Sequence, residues 1–323
     1  MQQTLLNLIL LVNDFESPPK ISSAPSAKKI VLTSFIVDAL DVGSSLVITL
    51  LSGSVVMLAQ VLQGVADLAS SGILLLGVRA SNKLPDKKYP FGHGREMYFW
   101  AMISAQITLF VTATFSFYFG FERFLHPEAV HNLTLAYIVL IVTALTNGYS
   151  FSLSYRRLGQ TGGSGTILQK FFSSALIETK TAFVLDLMGT IASILGLVSL
   201  LLYGLTGEQR FDGLGAMVIG LSLAILAFLL IKSVKDLLVG HSASAEVEKN
   251  IRNAALEIPE VKDILDLRTM HLGPEKLLVN LEVHLQDDLD TDEIEKLTDR
   301  IKQVVQTKEP TVHHIQVELE TPE

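Results

Sequence analysis

Three polar side chains stand in the middle of long apolar runs: Gln63 and Asp67, four residues apart, and Asp186 in a distant run. Residues four apart share one face of a helix. A carboxylate held inside an apolar segment costs at least a few kcal/mol, so it has a job or a partner. Two carboxylates and an amide at similar depth can coordinate a divalent cation once water completes the shell, and oxygen donors of this kind suit hard ions. Their two negative charges neutralise the ion, and protons can replace it when it leaves. Proton-coupled exchange follows from that chemistry. The plainer reading is that such groups only hydrogen-bond neighbouring helices. That reading suits Gln60 and Thr179. It suits Asp67 and Asp186 less well, because two buried carboxylates are costly glue.

Other groups sit near these. Asp38 and Asp41 in the first apolar run, and Glu178 two turns before Asp186, are candidate auxiliary ligands. Lys180 can pair with Glu178 or Asp41, or extend to the membrane interface. Between two runs lies Leu84-Pro85-Asp86-Lys87-Lys88-Tyr89-Pro90-Phe91-Gly92-His93-Gly94-Arg95-Glu96. Asp86 and His93 can share a metal there; equally, the prolines and glycines can merely shape a turn, with His93 hydrogen-bonded.

The elements that position these residues are legible in the composition. The chain has 323 residues, 49% hydrophobic and 18% charged, with no cysteine. That charge content is low for a soluble chain, and the mean hydropathy is +0.43. Six apolar runs, at about 30–51, 55–80, 96–121, 133–154, 172–203 and 213–236, are each long enough to cross a bilayer, which takes roughly 20 helical residues. Thirteen Lys and Arg fall in the segments on the side of the termini, against Arg123 and Arg210 opposite. The excess of bases marks the cytoplasmic side, so both termini are expected there. Residues 1–28 open on a short apolar stretch, Leu5–Val12, which fits either an interfacial anchor or a frayed terminus. Gly162-Gly163-Ser164-Gly165 reads as a flexible linker.

The net charge of -8 is uneven. From residue 241 onward there are 19 acids and 9 bases, giving -10, and the preceding 240 residues carry 14 acids and 16 bases, giving +2. The expected divisions are an N-terminal segment (1–28), a six-helix transmembrane domain (29–239) and a terminal domain (240–323). The last reads as helix, two strands, helix, strand: Glu246–Glu257, Asp263–His271, Leu277–Gln286, Thr291–Thr307 and Val312–Leu319. The order suits a small α+β sandwich of ferredoxin-like type. His313 and His314 are adjacent in a strand and are expected to point to opposite faces.

With these residues in view, the chain resembles the cation diffusion facilitator family of metal exporters. The match rests on Gly53-Ser54, Asp67, Pro85-Asp86 with Phe91-Gly92-His93-Gly94-Arg95-Glu96, His126-Pro127, Asp212, Asp266-Leu267-Arg268-Thr269 and Gly273-Pro274. Tyr98-Phe99-Trp100 looks most like the zinc transporter 9 branch. The resemblance covers about residues 30–320. It implies a homodimer that exports a divalent metal against protons by alternating access. The family's transport site would map to Gln63 and Asp67 on span two, and to Ala182 and Asp186 on span five. Gln63 is a weak neutral ligand and Ala182 is none, which leans the site away from tight zinc and toward Mn²⁺ or Fe²⁺. Asp86 and His93 would form a cytoplasmic loop site, with Tyr89 where some members have histidine. The family's metal positions in the tail map to Leu265, Leu281, Gln316 and Glu318. The acidic residue that often locks against the base at Arg95 is missing after Leu237-Leu238, and Asp236 is the candidate substitute.

The partners implied are a second copy of the chain, a divalent metal (Zn²⁺, Fe²⁺ or Mn²⁺), protons and membrane lipid, with no resident cofactor and no nucleic acid. The expected location is multi-pass in a plasma (inner) membrane. Nothing in the sequence forms a nucleophile–base pair, a phosphate-binding glycine loop or a His-Glu-x-x-His zinc motif, which argues against an enzyme. The competing reading, motivated by Ala182, is a non-transporting scaffold or metal-sensing partner subunit.

Overall fold

The structure, a computed structural model, describes residues 27–160 and 166–321, and for 27–38, 41 and 173 the backbone alone. The N-terminal apolar stretch, the glycine-rich linker and the side chains of Asp38 and Asp41 therefore lie outside the described part. Among the described residues, five helices are long and apolar enough to cross a membrane: α2 (Val55–Ser81), α3 (Glu96–Leu125), α4 (Leu133–Gln160), α6 (Ile177–Thr206) and α7 (Arg210–Val239). Ahead of them runs α1 (Ala27–Ser52). The short α5 (Ile167–Ser173) precedes α6, its first turn closed by a Thr166–Gln169 capping box. One apolar run, expected as a single span from 172, thus contains a break at 174–176.

The described residues divide into two compact units, 27–71, 105–160 and 178–228 in one, and 72–104, 166–177 and 229–321 in the other. Within the first, α1 stops at Gly53, whose φ of +67° suits a residue without Cβ. Ser54 and Asp212 then cap α2. Asp212, fully buried, accepts the backbone N–H groups of Val55 and Val56 at 2.9 and 3.1 Å, and the Ser54 hydroxyl at 2.5 Å. A carboxylate at a helix N-terminus satisfies orphan donors and complements the helix dipole, which makes its burial tolerable. Helices α3 and α7 approach backbone to backbone: a Cβ on Gly120 would lie 2.6 Å from the Met217 nitrogen, and one on Gly213 2.6 Å from the Phe124 nitrogen. Small residues permit this close crossing in membranes. Midway along α3, Thr108–Ala113 winds as a π-helix, which the sequence does not announce.

In the second unit, α8 (Ala245–Leu256) and α9 (Thr291–Lys308) pack against a three-stranded sheet of order β1-β2-β3. Strand β1 (Val261–Gly273) pairs antiparallel with β2 (Lys276–Leu285), and β2 parallel with β3 (Val312–Leu319). Alternate β2 residues, Leu277, Val279, Leu281, Val283 and Leu285, are buried against Ile251 and Ala255 of α8 and Leu297, Ile301 and Val305 of α9. The expected α+β arrangement holds. His313 and His314 do not alternate as expected: a register irregularity opposite Leu277 and Leu278 leaves both exposed. The His314 ring stands edge-on to Phe91, 5.3 Å away.

Candidate metal site

Gln63 and Asp67 lie on one face of α2 and are joined directly. The Gln63 amide nitrogen donates to both carboxylate oxygens of Asp67 at 2.9 Å. Gln63 is fully buried and Asp67 only 4% exposed. On α6, Asp186 is 3% exposed, and its Oδ2 accepts the hydroxyl of Ser154 on α4 at 2.8 Å. Ser154 is a partner the sequence did not suggest, because 32 residues separate it from Asp186. The available signal was a polar stripe on α4, Thr143, Asn147, Ser150 and Ser154, all buried.

Each carboxylate accepts from a neutral donor, Asp67 from the Gln63 amide and Asp186 from the Ser154 hydroxyl. A neutral donor orients a carboxylate without itself cancelling its charge. The Gln63 amide oxygen, free of any hydrogen-bond partner among the described residues, is the lone pair left to join them. Ala182 offers no ligand atom. Among the described residues no three His, Asp or Glu side chains gather as a metal cluster, so any ion here relies on amide, hydroxyl or water oxygens as well.

The surrounding candidates separate. Glu178 opens α6 eight residues before Asp186, about 12 Å along the axis. Lys180 is completely buried, which excludes extension to the interface. Thr179 takes the hydrogen-bonding role expected of it, accepting from Arg157 Nε at 3.2 Å. Gln60 does not: neither polar atom of its buried side chain has a partner among the described residues.

In the loop before α3, Asp86 and His93 do meet, with Nε2 3.5 Å from Oδ2. Asp86 also accepts the backbone N–H groups of Lys88 and Tyr89 at 2.8 and 2.7 Å. The Tyr89 bond above all holds its carboxyl below the usual carboxylate range. Asp86 therefore shapes the turn, and His93 stacks obliquely on Tyr89. Arg95 finds the carbonyl of His271 at 3.4 Å, and Asp236, the candidate lock, pairs with Lys235 at 3.1 Å. Gly94 explains the motif's second glycine: a Cβ there would lie 2.5 Å from the Leu272 carbonyl oxygen.

A series of apolar spanning helices with buried carboxylates, followed by a small α+β domain, defines an integral multi-pass membrane protein. The chain belongs to the cation efflux family: residues 31–239 match its transmembrane domain and 243–322 its cytoplasmic domain. The resemblance read from the motifs, including the zinc transporter 9 branch, is borne out. The mitochondrial proton-coupled zinc antiporter SLC30A9 of Mus musculus is 24% identical over 257 residues, which cover 79% of this chain and 45% of that protein. The chain thus spans about half the length of that relative. The cation-efflux pump FieF of Shewanella oneidensis is 27% identical over 84% of this chain and 88% of its own length. The magnetosome protein MamB of Magnetospirillum gryphiswaldense is 24% identical, over 84% and 86%. Among solved structures, a MamM CTD in its cadmium form covers 24% of this chain and 98% of its own at 18% identity, with a TM-score of 0.23.

Proposed function

We propose that the protein exports a divalent cation in exchange for protons, as a homodimer working by alternating access, with Gln63, Asp67 and Asp186 holding the ion. The observation that carries this reading is the burial of Asp67 and Asp186 within apolar spans of a cation efflux domain. An ion with two positive charges neutralises the pair, and protons keep it neutral once the ion has gone. Two carboxylates set the ceiling on coupling, because the Gln63 amide changes no charge. Oxygen donors alone favour Mn²⁺ or Fe²⁺ over tightly held Zn²⁺. In this reading the termini and the terminal domain face the cytoplasm of a plasma (inner) membrane, following the distribution of Lys and Arg. Asp86 with His93 is a loop metal site of lower rank, since the turn already occupies Asp86. Asp38, Asp41 and Glu178 are auxiliary.

The test is ion uptake into proteoliposomes under an imposed proton gradient, comparing Mn²⁺, Fe²⁺ and Zn²⁺. Asp67→Ala and Asp186→Ala should each reduce transport by at least about tenfold, the scale of losing one charged ligand. Transport by both variants at the parent's rate would remove the assigned site. Ala182 favours a second reading, a scaffold or metal-sensing subunit that transports nothing. It predicts no metal binding in calorimetry that responds to Asp67 or Asp186.

A further inference from the structure

The proposed ion site leaves a set of buried polar groups unused. On α4, Asn147 and Ser150 are 3% and 1% exposed, and on α2 Gln60 is fully buried. Among the described residues, Asn147 Nδ2, Ser150 Oγ and both polar atoms of Gln60 have no hydrogen-bond partner. Buried polar atoms are nearly always paired, and a group of orphans in one region is where ordered water belongs.

Their places along α6 form a sequence. Ser154 binds Asp186 itself. The Asn147 amide lies flush against Gly189, where a Cβ would come within 2.9 Å of its Cγ. Gln60 Nε2 lies 3.6 Å from the corresponding position on Gly196, beside Val56 and Leu140. From Asp186 to Gly196 is ten residues, about 15 Å of helix, or roughly half the apolar thickness of a bilayer. It leads toward the end of α6 at Thr206. Both contact positions on α6 are glycines, which lets the Asn147 amide and the Val56 side chain close in to 2.9 and 2.8 Å of where a Cβ would stand.

We propose that Gln60, Asn147 and Ser150 line a hydrated track between the Asp67–Asp186 carboxylates and the membrane face at which α6 ends. Resting on the transport reading above, the track carries the divalent cation, with the Gln60 amide oxygen and the Ser150 hydroxyl each replacing a water of its shell in turn and the Asn147 amide N–H donating to the track's water. Because the lining is uncharged, it offers oxygen ligands without trapping the ion, and it places no compensating negative charge along the way.

The absence of cysteine makes the test direct. Gln60→Cys, Asn147→Cys and Ser150→Cys, each the sole thiol of the full chain in proteoliposomes, are treated with a small membrane-impermeant cationic methanethiosulfonate. Leu223→Cys, in the apolar core, and Phe228→Cys, on an exposed apolar surface of α7, are the comparisons. All three track thiols should react at least about fivefold faster than both comparisons, since thiol reactivity follows access to water. Mn²⁺ should slow the reaction at Ser150→Cys. Rates below that margin at Gln60→Cys and Asn147→Cys overturn the track. A variant that fails to fold is replaced by Gln60→Leu or Asn147→Leu. These should keep the Mn²⁺ dissociation constant within about threefold while turnover falls about tenfold; unchanged turnover also overturns the proposal. Labelling requires no transport, so hydration of the track can fail or hold independently of Asp67→Ala and Asp186→Ala.

Discussion

The ion chemistry proposed for this chain rests on what surrounds two carboxylates. Asp67 is held by the Gln63 amide and Asp186 by the Ser154 hydroxyl, both neutral donors at 2.8–2.9 Å. The first contact was readable in the sequence, because an i, i+4 spacing fixes a shared helix face whatever the tertiary fold. The second was not, since only packing brings α4 to α6. Yet the second makes the sharper prediction. Removing a hydroxyl that orients a ligating carboxylate costs roughly tenfold to a hundredfold in metal affinity. Calorimetry with Mn²⁺ should show that loss in Ser154→Ala, with recovery in Ser154→Thr. Equal affinity in Ser154→Ala would mean that Asp186 is oriented by other contacts. Gln60 is the instructive reversal at this scale. Polarity in an apolar run suggested a hydrogen-bonder, whereas the structure gives it no partner among the described residues.

At the scale of elements, apolarity located the end of α1 at Gly53 to within a residue, and the ends of α6 and α7, before Gly207 and Gly240, to within three. It failed where hydrogen bonding and polarity part company. The break at 174–176 falls between apolar residues, and α4 continues through Tyr155-Arg156-Arg157 to Gln160, past the apolar run. The π-helical turn of α3 has no sequence signature at all. Asp212 matched a family position by type, but its task emerges only in three dimensions, as the cap of α2. In Asp212→Asn one oxygen becomes a donor facing the N–H groups of Val55 or Val56. The change should destabilise the protein by roughly 2–4 kcal/mol, the range for a broken buried charged hydrogen bond. The midpoint of thermal unfolding in detergent would report it, and an unchanged midpoint would remove the cap from the account. In the sheet, register places Asp266, Glu282 and Glu318 side by side across three strands. Burial, followed by the neighbouring Glu320 and Asp266, pushes the Glu282 carboxyl up, against the pull of Arg268. A carboxyl raised on folding binds its proton more tightly in the folded state, so stability falls as pH rises through that group's range and stays lower at neutrality. Glu282→Gln should therefore slow amide exchange in β2 at neutral pH and make little difference near pH 4. Faster exchange at neutrality would contradict the assignment.

For the whole molecule, charge is divided unequally along the chain. The slightly basic, apolar stretch matches the transmembrane domain of the family and the acidic remainder its terminal domain. Less visible was how the loop of residues 84–96 meets the β1–β2 hairpin. Gly94 and Gly273 face one another, and a Cβ on either would come within 2.7 Å of the other's backbone or its neighbour's. Gly94→Ala must push the hairpin away. If the loop relays events in the terminal domain to the spans, the variant should lower transport turnover while Mn²⁺ affinity at Asp67 and Asp186 holds, as calorimetry beside flux would show. Parent turnover would limit the glycines to packing. Two peptide groups in contact have no rotamer to change and no long side chain to flex. Whatever crosses this joint crosses as displacement, the way a push passes between two stiff rods, so the strength of any relay is set by how little the contact can give.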